Sequence, residues 1–192
     1  MGERGFRSVA VDDLCRHAEV KKGSFYHFFT SKEHLTLVAI EVSFADAQRA
    51  WTEALEGPEA AVVRLRRLAR LYPEQAQACA RRGDALVGCF FGNLSQELAT
   101  QNERVREALA DAFEGWVELL TPTVAAALLE ADRPAEDARG RARSVVAYIQ
   151  GSVLMAKTRN DPDALSTLEA DVIRLVGLDC PLPIPHRGHS SR

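Results

Sequence analysis

Between residues 21 and 32 the chain gathers side chains that could hold a polyanion. Lys21 and Lys22 stand beside Gly23 and Ser24, Tyr26 and His27 follow, and Lys32 comes just after a Thr30-Ser31 pair. Ammonium groups pair with phosphate oxygens, and hydroxyl or imidazole tips reach phosphates or base edges in a major groove. A helix opening near Lys21 adds the positive end of its dipole. Lys21, Lys22, Ser24, Tyr26, His27 and Lys32 are therefore the candidate contacts to double-stranded DNA. A second group lies in the apolar run GCFFGNLSQELA, residues 88–99. Cys89 has two readings there: a sensor thiol that meets electrophiles or oxidants, which needs access and a lowered pKa, or a small inert core residue. Asn93 is polar in apolar surroundings and needs a partner if buried. Phe113, Trp116 and Tyr148 either line an effector pocket or belong to the core.

The elements that must position these residues all read as helix. Ala, Leu, Glu and Arg dominate, and period-two runs of β-branched residues are missing. Residues 8–35 give a helix over 11–18, a short turn, and a second helix of about two turns, which is a helix-turn-helix. Phe25, Phe28 and Phe29 are expected in its core, with Val20 as an apolar plug in the turn. Thr30 and Ser31 are both good N-caps, Thr30-x-x-Glu33 has the capping-box form, and a long helix follows from Lys32 to about Glu56. Further helices are expected over 58–72, broken or kinked by Pro73, over 85–99, over 100–131 with a kink at Pro122, and over 135–159 and 163–177. Gly88 and Gly92 would then share a helical face, with Cys89 and Asn93 beside them. The fold class is all-α. Residues 1–36 form the helix-turn-helix domain, 37–177 a larger helical body, and 178–192 a Pro-rich tail expected to be disordered.

Composition bounds the function. The 192 residues carry a net charge of −3, so a basic coat for nucleic acid is excluded and any DNA contact must be local. Residues 1–36 are net +1 and the remainder net −4. No stretch approaches 18 uninterrupted apolar residues, so no membrane span is expected, and the MGERGF start lacks the apolar segment of a secretory signal. The four cysteines show neither CxxC nor CxxH spacing. Free thiols in a reducing cytoplasm are expected, with no disulfide framework, metal or cofactor. No catalytic constellation is present, and an enzyme is not expected.

The first segment resembles the DNA-binding domain of TetR-family transcriptional regulators. Gly5, Phe6, Val11, Asp13, Leu14, Ala18, Val20, Gly23, Tyr26, Phe29, Ser31, Lys32, Glu33 and Leu35 stand at that family's spacing. Three departures stand out. Val9-Ala10 replaces a hydroxyl pair that caps the first helix, a loss of about 1 kcal/mol. Glu19 replaces the turn glycine, and Phe28 replaces a His or Tyr. The chain also begins at the last turn of the helix that precedes Gly-Phe in the family, so the sequence implies a first helix that is missing or cut short. The 88–99 run resembles a G-C-x-x-G-N-L stretch of one subset of the family.

The resemblance implies a helical ligand-binding and dimerisation domain, a small-molecule effector, and a homodimer on a pseudo-palindromic operator, acting as a repressor. In the family the last two helices pair with their copies. Val146, Ile149, Val153, Leu165, Leu168 and Val172 supply the apolar stripes for that interface. The alternative is a helical dimerising module that binds a small molecule and has lost DNA binding with its first helix.

Overall fold

The computed structural model describes residues 9–178. Two short helices, α1 (Val11–His17) and α2 (Lys22–Phe28), precede a long α3 (Lys32–Leu55). The body continues with α4 (Ala61–Arg81), α5 (Phe90–Leu98), α6 (Glu103–Glu130), α7 (Ala138–Arg159), a 3-10 turn (Pro162–Leu165) and α8 (Leu168–Val176). No strand occurs among the described residues. The expected disorder of the tail lies outside them, apart from Leu178.

Helix α6 is the axis of the body. Val105, Leu109, Ala112, Trp116, Leu120, Val124 and Leu128 are buried along it, against α3, α4 and α7. By length and composition α6 could cross a membrane, but here its apolar faces make the core of a helical bundle. Helix α8 is fastened to α4 by Glu169, which meets Arg70 Nε at 2.6 Å and Arg66 Nη1 at 3.0 Å. These guanidinium groups hold the Glu169 carboxyl below its usual range.

Three expectations on the elements are corrected. Pro73 does not end α4, which runs on to Arg81. Proline removes one backbone bond, and burial of Leu68, Ala69 and Ala76 on either side holds the helix together. Pro122 lies inside α6, which spans Glu103–Glu130. Residues 85–89 are not helical and α5 starts only at Phe90, with Gly88 at φ +76° just before it. Gly88 and Gly92 therefore share no helical face. Finally, Thr30 is not the cap of α3: Ser31 Oγ accepts the His34 N–H at 3.0 Å.

The apolar stripes of the last two helices face inward. Val146, Ile149, Leu165, Leu168 and Val172 are all buried within one protomer, and Val153 is half-buried. Within one protomer they belong to the core. A stripe at helical spacing reads alike whether it meets its own bundle or a second copy, and here α7 and α8 spend theirs on α6, α4 and each other.

The turn between α1 and α2 carries strain. Glu19 sits at φ +55°, a left-handed conformation that costs a residue with a Cβ roughly 1–2 kcal/mol. Glu19→Gly is expected to stabilise the protein by about 0.5–1 kcal/mol, after the entropy glycine loses on folding. Urea denaturation of both proteins checks this; an unchanged or lower midpoint would show the strain to be absent.

Candidate functional site: a reading helix joined to a cavity-bearing body

Helix α2 presents its polar residues to solvent. Val9, Cys15 and Phe25 are buried beneath it, and Phe25 packs edge-on to Tyr26 at 5.1 Å. Lys21, Lys22, Ser24 and His27 are exposed, and Tyr26 is 52% exposed. Lys22 Nζ meets Asp12 Oδ1 at 2.8 Å, which ties α2 to α1 and raises the lysine's pKa. Two residues expected inside lie outside: Phe28 is 68% exposed and Val20 46%. Phe28 is 60° around the helix from the core-facing Phe25 and misses the α1 contact. Phe29 is half-buried, between Phe25 at 5.5 Å and His34 at 5.8 Å.

At Ala10 no side chain caps α1. Asp13 Oδ2 accepts the Ala10 N–H at 3.1 Å, so only the carboxylate half of a capping box is made. Lys32 is half-buried. Burial pushes its ammonium down, and Glu97 on α5 pulls it back up. Next to it, Glu33 joins reader to body: its Oε2 accepts from Asn102 Nδ2 at 2.7 Å and its Oε1 from Arg104 Nη1 at 3.0 Å. Asn102 also caps α6, accepting the Val105 N–H at 3.0 Å. The sequence reading gave Glu33 a capping role and missed this clasp, because the two ends lie 69 residues apart.

The body holds two cavities, of about 560 Å³ and about 630 Å³. The first lies between α5, α6 and α7, with Phe113, Val117 and Val146 on its apolar wall. Asn93 is fixed there: its Nδ2 donates to Val87 O at 2.9 Å and its Oδ1 accepts from Lys157 Nζ at 2.7 Å. The lysine stem crosses Gly88, where a Cβ would come within 2.8 Å of Lys157 Cδ. The second cavity is aromatic, lined by Trp51, Tyr72, Phe91 and Trp116. Trp116 stacks on Trp51 at 5.7 Å and meets Phe91 at 4.8 Å and Phe113 at 5.4 Å. Gly88, Cys89 and Gln150 border both spaces. Trp116 Nε1 and Gln150 Oε1 are buried without a hydrogen-bond partner.

Of the five residues expected at an effector site, Cys89, Asn93, Phe113 and Trp116 line these cavities, and Tyr148 does not. Tyr148 lies on the outer face of α7, and its hydroxyl donates to Asp171 Oδ2 at 2.6 Å. Trp51, Tyr72, Gln150 and Lys157 were not found from sequence, since each comes from a distant helix. The lowered pKa that a sensor thiol needs is also not there. Burial pushes Cys89 above the ordinary value of 9.0, against opposing hydrogen bonds from the Gly92 and Phe91 amides and from Gln150. Only the thiolate attacks, so alkylation of Cys89 is expected to keep rising with pH beyond 9. A rate that levels off below pH 8, measured by mass spectrometry, would contradict this.

Residues 1–39 match the family model "Bacterial regulatory proteins, tetR family", and residues 65–171 match "Transcriptional regulator LmrA/YxaF-like, C-terminal domain". The chain belongs to the TetR family. It is 34% identical over 168 residues to the transcriptional regulator AcuR of Cereibacter sphaeroides, an alignment covering 85% of this chain and 74% of that protein. It is 37% identical over 116 residues to the HTH-type transcriptional repressor DhaR of a Mycobacterium species, covering 60% of this chain and 55% of DhaR. A TetR regulatory protein from Rhodobacter sphaeroides superposes with a TM-score of 0.79 at 31% identity, covering 91% of each chain. Reduced NemR of Escherichia coli superposes at 0.75 with 26% identity, covering 90% of this chain and 88% of NemR. As in other TetR regulators, a helix-turn-helix domain thus precedes a helical body.

Proposed function

We propose that this TetR-family chain is a cytoplasmic, ligand-responsive repressor of the subset that carries G-C-x-x-G-N-L. A homodimer sets two α2 helices in successive major grooves of a pseudo-palindromic operator, because one two-turn helix reaches few base pairs. Lys21, Ser24, Tyr26 and His27 make the contacts, with Lys22 turned partly to Asp12. The observation that carries the reading is the Glu33 clasp. It ties the first turn of α3, which follows the reading helix directly, to the start of α6, whose middle lines both cavities.

An effector in these cavities shifts α5 or α6, and the clasp passes the shift to α2. A ligand that prefers the displaced arrangement lowers operator affinity by the difference in its affinity for the two states. The names of AcuR, DhaR and NemR support the regulatory role, and the two repressors among them support repression.

Duplexes enriched from a random library by the purified protein test the DNA reading. Their affinity is expected to fall steeply with salt, since each phosphate contact releases counterions. Failure to enrich any sequence would refute it. Glu33→Ala is expected to weaken binding to the enriched duplex about 5–10-fold, because a freed reader spends less time in the competent orientation. Anisotropy titration checks this, and unchanged affinity would remove the clasp from the mechanism.

A further inference from the structure

The two cavities differ in charge. Glu114, Arg143 and Lys157 line the one between α5, α6 and α7, whereas no charged residue among the described ones lines the aromatic cavity. Burial pushes the Tyr72 hydroxyl and the Cys89 thiol in its wall above their ordinary values, so both stay neutral at pH 7. Five rings border the space, those of Trp51, Tyr72, Phe90, Phe91 and Trp116. Its rim reaches the surface at Ala50 on α3 and Gln75 on α4, both exposed. Two polar atoms in this apolar setting are unanswered. Trp116 is 3% exposed, and its Nε1–H has no acceptor. Gln150 donates from its amide nitrogen to Cys89, and its buried Oε1 is left without a donor. The other indole is satisfied, since Trp51 donates to the Tyr72 hydroxyl. A buried polar group without a partner is costly. An N–H without an acceptor and a C=O without a donor, on two residues that line one cavity, point to an occupant that supplies both.

We propose that the aromatic cavity binds an uncharged aromatic molecule that bears a hydroxyl group, a phenol or a naphthol in class. The proposal rests on the ligand-responsive reading above and names the chemistry of its effector. The volume of about 630 Å³ lies in the range of sites for small organic molecules. A flat ring finds stacked and edge-on partners among the five rings of the wall. A hydroxyl both accepts and donates: its oxygen can accept from Trp116 Nε1, and its proton can go to Gln150 Oε1. A carboxylate or an ammonium is disfavoured, because no group of opposite charge on the wall offsets the water it would lose. A plain hydrocarbon suits the rings but leaves both polar atoms unanswered. Gln150 also holds Cys89, which directly precedes α5. A ligand bonded to Trp116 and Gln150 therefore acts on α5, α6 and α7 together.

Equilibrium dialysis of the full chain at pH 7 with 2-naphthol, naphthalene and 2-naphthoate tests this. The three probes share one ring system and differ in their polar group. 2-Naphthol is expected to bind about tenfold tighter than naphthalene, the weight of one to two net hydrogen bonds, and at least about a hundredfold tighter than the 2-naphthoate anion. The naphthol-to-naphthalene ratio is expected to fall to about two- or threefold in Trp116→Phe, and likewise in Gln150→Met, since each deletes one of the two polar atoms. Taking the ratio cancels any change in ring contact. If one variant does not fold, the other gives the same comparison. Equal affinity for 2-naphthol and naphthalene, or a naphthoate that binds as well as the naphthol, would overturn the proposal. A ratio that neither variant moves, or binding of none of the three, would overturn it too. Release of the enriched duplex by the same probes separates this proposal from the regulator reading. 2-Naphthol that binds with the expected preference and leaves DNA affinity unchanged supports the ligand class and removes this cavity from the control of DNA. Release by 2-naphthoate and not by 2-naphthol keeps the regulator reading and overturns the ligand class.

Discussion

Trp116→Ala is expected to cost about 3–5 kcal/mol of stability, the range for deleting a large buried aromatic. Trp116 is 3% exposed and lies among Phe44, Trp51, Phe91 and Phe113, with its four ring neighbours on α3, α5 and α6. Its removal opens the aromatic cavity further and leaves the stacked Trp51 without a partner face. The gap collapses poorly because the surrounding rings are held by three different helices. Trp116→Phe keeps an aromatic ring and deletes the unpaired indole N–H, so it is expected to lose much less. Urea denaturation of the three proteins measures this. A Trp116→Ala loss below about 1 kcal/mol would mean that the site relaxes and that Trp116 is not the keystone of the body.

Tyr26→Ala has the largest effect expected on DNA. Tyr26 is half-exposed at the centre of α2, and its ring is braced by the buried Phe25. A braced ring carries its hydroxyl to DNA with little rotamer entropy left to lose. Loss of such a contact is worth about 1–3 kcal/mol, or roughly 5–150-fold in affinity per half-site. The melting temperature is expected to stay unchanged, since the Tyr26 face is in water. Anisotropy on the enriched duplex, with thermal melting alongside, separates the two roles. Normal affinity would remove Tyr26 from the interface, and a lowered melting temperature would make it structural.

Local chemistry was legible in the sequence, and long-range placement was not. The reading head follows from short-range signals: the turn, the positive start of α2, and the capping hydroxyl of Ser31. Even there Phe28 misled, because an aromatic on a two-turn helix reads as core, and its place 60° around the helix from Phe25 leaves it outside. Helix lengths erred where tertiary packing overrode a local breaker, as at Pro73, or where one glycine changed the backbone, as at Gly88. The apolar stripes of the last two helices are ambiguous for a deeper reason. Val146, Ile149, Leu165, Leu168 and Val172 are buried in the protomer, and a core stripe and a dimer stripe carry the same periodicity. The cavity residues Trp51, Tyr72, Gln150 and Lys157 come from three helices and meet only after these have packed.

The central claim is that two short readers act together on DNA under the control of one helical body. The spacing of half-sites in library-enriched duplexes tests it most directly. The account expects an inverted repeat whose half-sites lie about one helical turn, or a small multiple of it, apart centre to centre, bound by a dimer in sedimentation. Enrichment of a single unrepeated site bound by one protomer would contradict it.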